Sequence, residues 1–152
     1  MSRFAQGLAV TAIFAAAMTA MPTWTFAAPL ITDEEARLPA QKGAVPNSGR
    51  GITRGPKIVV PDEEASLLHS PIHFQVKFQT FGGSSVDLDS LKVTYLKSPV
   101  VDLTMRVKPF AQATGIDMPD AQLPAGDHLV RVDIKDSDGR QASTSFLLKI
   151  TP

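Results

Sequence analysis

The sequence predicts an all-β sandwich. Three observations predict it: apolar and polar residues alternate with period two from Lys57 onward, turn-forming residues separate the alternating runs, and that region holds no run of helical periodicity. The clearest run is Pro71–Thr80 (PIHFQVKFQT). Ile72, Phe74, Val76 and Phe78 point one way and His73, Gln75, Lys77 and Gln79 the other, as in an antiparallel strand with one face in a core.

The two segments before this region have other roles. Residues 1–27 read as a secretory signal peptide: Arg3 supplies the positive start, Leu8–Met21 is an uncharged apolar run, Pro22 breaks it, and Thr25 and Ala27 suit cleavage after Ala27. The apolar run is shorter than the ~20 residues of a spanning helix. Cleavage places the mature start at Ala28 and the protein in the periplasm or outside the cell. It also removes Arg3, leaving 14 basic against 15 acidic residues, and removes Trp24, the sole tryptophan. Residues 28–56 read as a flexible linker, rich in proline and glycine, with one possible short helix. Thr32 and Glu35 have capping-box spacing, Asp33, Glu34 and Glu35 suit a helix start, and Pro39 ends the helix near Leu38.

The domain then spans 57–152. Ile58–Val60 (IVV) is the expected opening strand, followed by Pro71–Thr80 and the glycine-rich loop Phe81–Ser85. Leu91–Leu96 alternates through Leu91, Val93 and Tyr95, and Lys97-Ser98-Pro99 breaks it. Val101–Val107 (VDLTMRV) alternates again, with Val101, Leu103, Met105 and Val107 on one face. Gly115–Met118 is a short candidate strand. Asp127–Lys135 puts His128, Val130, Val132 and Ile134 on one face. Asp136–Gly139 is a turn, with Gly139 suited to positive φ, and Ser143–Ile150 closes the domain with Phe146, Leu148 and Ile150. That is about seven short strands, the spacing of a sandwich.

The run Ser70-Pro71-Ile72, a strand, then Val86-Asp87-Leu88-Asp89-Ser90-Leu91-Lys92-Val93 resembles bacterial immunoglobulin-like modules. So does the closing run: Leu123-Pro124-Ala125-Gly126-Asp127-His128, a strand, Asp136-Ser137-Asp138-Gly139-Arg140, then a last strand. The resemblance covers about Lys57–Ile150 and implies an immunoglobulin-like antiparallel β-sandwich of about seven strands. It implies no single activity, since such modules serve adhesion, accessory roles in enzymes and surface structure. Unlike antibody-type domains, this chain has no cysteine and, without its leader, no tryptophan. His128 stands near where those domains often place a tyrosine.

Composition excludes several functions. With 15 basic and 15 acidic residues the chain has no basic surplus, so nucleic acid is not the expected partner. Without cysteine there is no thiol nucleophile, thiolate metal site or lipoprotein anchor. No Gly-x-Ser-x-Gly elbow or phosphate-cradling loop occurs, and the runs Asp33-Glu34-Glu35 and Asp62-Glu63-Glu64 suit solvated turns better than acid/base pairs. Ser84 and Ser85 fit a connecting loop. No enzyme activity and no cofactor are expected.

Metal binding is the alternative. The candidates are His69, His73 and His128, with Met105 and Met118 as soft ligands for copper(I), a set distantly similar to periplasmic copper-resistance sandwiches. The spacing counts against it: His69 and His73 on an extended strand lie roughly 13 Å apart, and the expected start, Ala28, is not the histidine those proteins use. Asp136 and Asp138 lack the flanking ligands of a calcium loop, and Asp87 and Asp89 share a solvent-facing side. Partner binding remains: Lys77, Gln79, Lys92, Thr94, Arg106 and Arg131 are outward positions that offer a protein or glycan a mixed polar face, and an edge strand could accept a partner strand. The expected function is a secreted, non-enzymatic binding or structural module.

Overall fold

A computed structural model of the chain describes residues 28–47, 55–61 and 67–152. The expected leader, residues 1–27, lies outside the described residues, as do linker residues 48–54 and the acidic run within 62–66.

Two sheets pack face to face. In chain order the elements are β1 (Ala28–Pro29), α1 (Asp33–Ala36), β2 (Lys57–Val59), β3 (Leu67–His69), β4 (Ile72–Gln79), β5 (Val86–Tyr95), β6 (Val101–Asp102), α2 (Thr104–Val107), a 3₁₀ turn (Lys108–Phe110), β7 (Ala111–Gln112), β8 (Gly115–Gln122), β9 (Gly126–Asp136) and β10 (Gln141–Thr151). The first sheet runs β1-β8-β4-β2, with β7 also on β8; the second runs β3-β10-β9-β5-β6. The all-β sandwich is therefore the observed architecture. The expected seven strands become ten because three further pieces of two or three residues, β1, β3 and β7, join the sheets.

The alternation does what period two requires. Along β4, Ile72, Phe74, Val76 and Phe78 are buried, and along β9 so are His128, Val130, Val132 and Ile134. The β9–β10 hairpin pairs in register from Ile150–Gly126 to Gln141–Lys135. The Phe74 and Phe146 rings stack across the two sheets at 6.1 Å between centroids. The turn between β9 and β10 carries Gly139 at φ +76°, as expected.

Three segments depart from expectation. Val101–Val107 is not a strand: it pairs with β5 only at Val101 and Asp102, then turns into α2. Asp102 Oδ1 accepts the Thr104 N–H at 2.8 Å and Thr104 Oγ1 accepts the Val93 N–H at 3.0 Å, so side chains end the ladder. Leu103 and Val107, four apart, both bury, while Met105 is 77% exposed. Gly115–Met118 extends to an eight-residue strand containing Pro119, because a bulge between the pairs Ile72–Ala121 and Phe74–Met118 leaves that residue out of the ladder. At its start Gly115 approaches β4 so closely that a Cβ would lie 2.1 Å from the Val76 carbonyl oxygen.

The third is the segment read as a flexible linker. Its described parts, 28–47 and 55–56, are attached to the fold. β1 pairs with β8 in parallel, and Leu30 and Ile31 enter the core at 0% and 2% exposure. The capping box forms, with Glu35 N–H donating to Thr32 Oγ1 and Thr32 N–H donating to Glu35 Oε2. Two adjacent apolar residues amid proline and glycine carry no periodicity, which is why the segment reads as linker.

Candidate functional site

The outward positions named from the sequence divide between the sheets. Lys77 and Gln79 lie on the outer face of the first sheet, on β4. Arg106 lies on α2 and is committed: it donates to both Glu35 carboxylate oxygens at 2.6 and 2.7 Å and to the Leu30 carbonyl at 2.8 Å. It is a structural clasp, not a free cation of a binding face, because the chain turns helical just before it. Only Lys92, Thr94 and Arg131 share one surface, the outer face of the second sheet.

Register builds this face in rows. Thr94 of β5 stands opposite Arg131 of β9, which stands opposite Ser145 of β10; the next row is Lys92, Asp133 and Ser143. Arg131 donates to both Asp133 oxygens, from Nε at 3.0 and 3.1 Å and from Nη2 at 3.0 Å, and Ser143 Oγ donates to Asp133 at 2.5 Å. Both side chains that hold Asp133 come from its own face, and Lys92 stands exposed beside it. On the other side is an apolar row: Leu96, whose N–H donates to the Leu129 carbonyl, then Leu129 and Leu147, all half-buried. A depression of about 400 Å³ opens over the polar rows, floored by Lys92, Thr94, Arg131 and Asp133 and rimmed by Gln41 and Val100.

Gln41 belongs to a strap. Residues 39–47 leave the end of β5, where Ser98 N–H donates to the Pro39 carbonyl and Gln41 N–H to the Leu96 carbonyl. They reach the edge of β10, where Asn47 and Ser145 exchange N–H···O bonds of 2.7 and 3.1 Å. Since β9 lies between those anchors and the inner side is packed core, the strap crosses β9 on the solvent side. Thr94 and Ser145 face outward yet are only 7% and 8% exposed.

The three histidines are far apart in role. His128 is 1% exposed, bonded through Nδ1 to the Tyr95 hydroxyl at 2.9 Å and through Nε2 to the Pro124 carbonyl at 2.8 Å. A carbonyl only accepts, so Nε2 carries the proton and the neutral ring takes the tyrosine proton at Nδ1. Burial lowers its pKa, against the Pro124 carbonyl and with help from Lys97. Burial, reinforced by the Glu35 carboxylate, pushes Tyr95 up to about 12. Lys97 lies over the Tyr95 ring and donates to the Ala36 carbonyl. His73 pairs with Asp117 at 2.6 Å on the outer face of the first sheet, and His69 meets the Thr151 hydroxyl at 2.9 Å. Met105 is exposed on α2 and Met118 is core. Among the described residues no three His, Asp or Glu side chains gather at one point.

The Asp136 carboxylate organises its turn. Oδ1 accepts the N–H of Asp138 and of Arg140, and Oδ2 accepts Arg140 Nε, while Arg140 also pairs with Asp138. Burial raises this carboxyl, but the Arg140 backbone and side chain outweigh it and leave the pKa below the ordinary range. Ser84 and Ser85 are loop residues, bonded to the Phe81 carbonyl and the Ser137 hydroxyl. Asp87 and Asp89 are both exposed.

Asp133, Ser143 and Gln41 are the face residues that periodicity missed. Alternation tells which residues point outward, while only register tells which of them meet. No protein-family model, curated protein or solved structure matches the chain.

Proposed function

We propose that this chain is a secreted, non-enzymatic immunoglobulin-like binding module that recognises a protein through the outer face of its second sheet. The immunoglobulin-like reading rests on strand order. The path β2-β4-β8 with β7 alongside corresponds to strands A, B, E and D of such domains, and β5-β9-β10 corresponds to C, F and G. Export rests on the leader-like residues 1–27.

The observation that carries the function is the depression over Lys92, Thr94, Arg131 and Asp133, bordered by the leucine row. It combines a cation, a fixed carboxylate and hydroxyls with apolar surface, the mixture found at polar protein interfaces. Among the described residues it is lined by no aromatic side chain on which a sugar ring could stack, which favours a protein over a glycan.

Affinity capture from a cell-envelope extract with the mature protein tests this reading. Lys92→Glu with Arg131→Glu should reduce recovery of the bound protein by about tenfold or more, because reversed charge opposes the partner at both positions. Lys77→Glu, on the other outer face, should leave recovery unchanged. A partner held equally by all three proteins would move the recognition surface elsewhere.

A further inference from the structure

We propose that the outer face of the second sheet is a docking surface for a peptide segment, and that the strap Pro39–Asn47 is its resident occupant, which a partner displaces. The inference rests on the same face as the proposed function and names its partner chemistry and regulation.

Three observations lead there. The strap is already seated on the face: it turns at Gln41–Ala44, with Gly43 at φ +77°, and is held by main-chain bonds at the Leu96 carbonyl and at both polar groups of Ser145. Those contacts recognise backbone, so they accept another peptide of suitable shape. The strap is also weakly anchored: eight of its nine residues are exposed and the ninth, Ala44, is half-buried, so it adds nothing to the core. Val45, its large apolar side chain, is 66% exposed. A segment with few apolar contacts and a handful of solvent-edge hydrogen bonds opens far more easily than the fold around it. Finally, the surface beside it is poised for an incoming chain, since the polar depression, rimmed by Gln41 of the strap, adjoins the half-buried leucine row. The fitting partner is a segment of small residues and proline, like the strap itself (PAQKGAVPN), whose end pairs with the β10 edge near Ser145.

Because the chain has no cysteine, a single introduced thiol reports cleanly. Thr94→Cys places it at a 7% exposed position in the depression that Gln41 of the strap rims, and Val132→Cys, in the fully buried core, reports global opening. Asn47→Pro removes the N–H donated to Ser145. In that background maleimide labelling at position 94 should accelerate about tenfold or more while position 132 stays protected. A synthetic strap peptide at about 1 mM, the effective concentration of a short tether, should slow labelling again. Unchanged labelling at position 94, parallel acceleration at both positions, or no effect of the peptide would overturn the proposal.

A second measurement does not depend on the proline variant. Asn47 and Ser145 form a hydrogen-bonded pair, with Cα atoms about 5.5 Å apart, so Asn47→Cys with Ser145→Cys can be oxidised to lock the strap. The lock should slow hydrogen exchange of the residue 145 amide about tenfold or more relative to its reduced form, with the Val132 amide unchanged. Equal exchange in both forms would mean that the strap never opens alone. If the strap opens as expected but charge reversal leaves partner capture intact, the proposed function fails and the strap stands. If charge reversal abolishes capture but the strap never opens, the strap fails and the proposed function stands.

Discussion

Residues 28–38 and 39–47 form one continuous segment with two kinds of attachment. The first half buries Leu30 and Ile31, pairs with β8 and is clasped by Arg106. The second half buries no side chain and holds on by main-chain bonds at its two ends. Burial makes the first half part of the fold; its lack makes the second half a ligand tethered to it.

The largest expected effect lies in the first half. Leu30→Ala removes a fully buried side chain and should destabilise the protein by about 3 kcal/mol in equilibrium urea unfolding. A loss under about 1 kcal/mol would place the whole N-terminal segment outside the fold.

Next comes the clasp. The Arg106 guanidinium, overcoming burial, holds Glu35 down to about 2 from 4.5. A carboxyl lowered in the folded state stabilises above its unfolded pKa, so this contribution is complete above pH 4.5 and fades as pH falls towards 2. Glu35→Gln should cost about 2 kcal/mol at pH 7, with little further loss on acidification through that window, as read from urea midpoints at pH 7, 4 and 3.

His128 should act in a higher window. Its pKa is lowered, so the unfolded chain binds the proton first, and stability falls as pH drops below about 6.5 towards the folded value. His128→Asn should flatten the slope of stability between pH 7 and 5; an unchanged slope would assign it to another group.

The smallest effect belongs to the strap. Val45→Ala should change stability by less than about 0.5 kcal/mol, since the side chain is 66% exposed. A loss comparable to that of Leu30→Ala would erase the distinction between the two halves.

The sandwich is legible wherever one face of a long strand is buried. β4, the β9–β10 hairpin and its Asp-Gly turn all follow from period two and turn chemistry. Val101–Val107 misleads because Leu103 and Val107 satisfy both a strand and a helical turn; only the exposure of Met105 separates them, and that depends on tertiary packing. The edge pieces β1 and β3 are too short to show a period, and both pair in parallel with strands distant in sequence. Of the face, Lys92, Thr94 and Arg131 can be named from alternation as outward residues. Asp133 joins them only through register, and Arg106 leaves them because its partner, Glu35, lies 71 residues away.

The position of β10 has a consequence for timing. This strand lies between β3 and β9, supplies Phe146, Leu148 and Ile150 to the core, and anchors the strap. Until the ribosome has released Gln141–Thr151, β9 lacks its longest pairing and the first sheet lacks the ring that stacks on Phe74. A chain made only as far as β9 therefore cannot close the sandwich, and non-local pairing of this kind is slow in its own right.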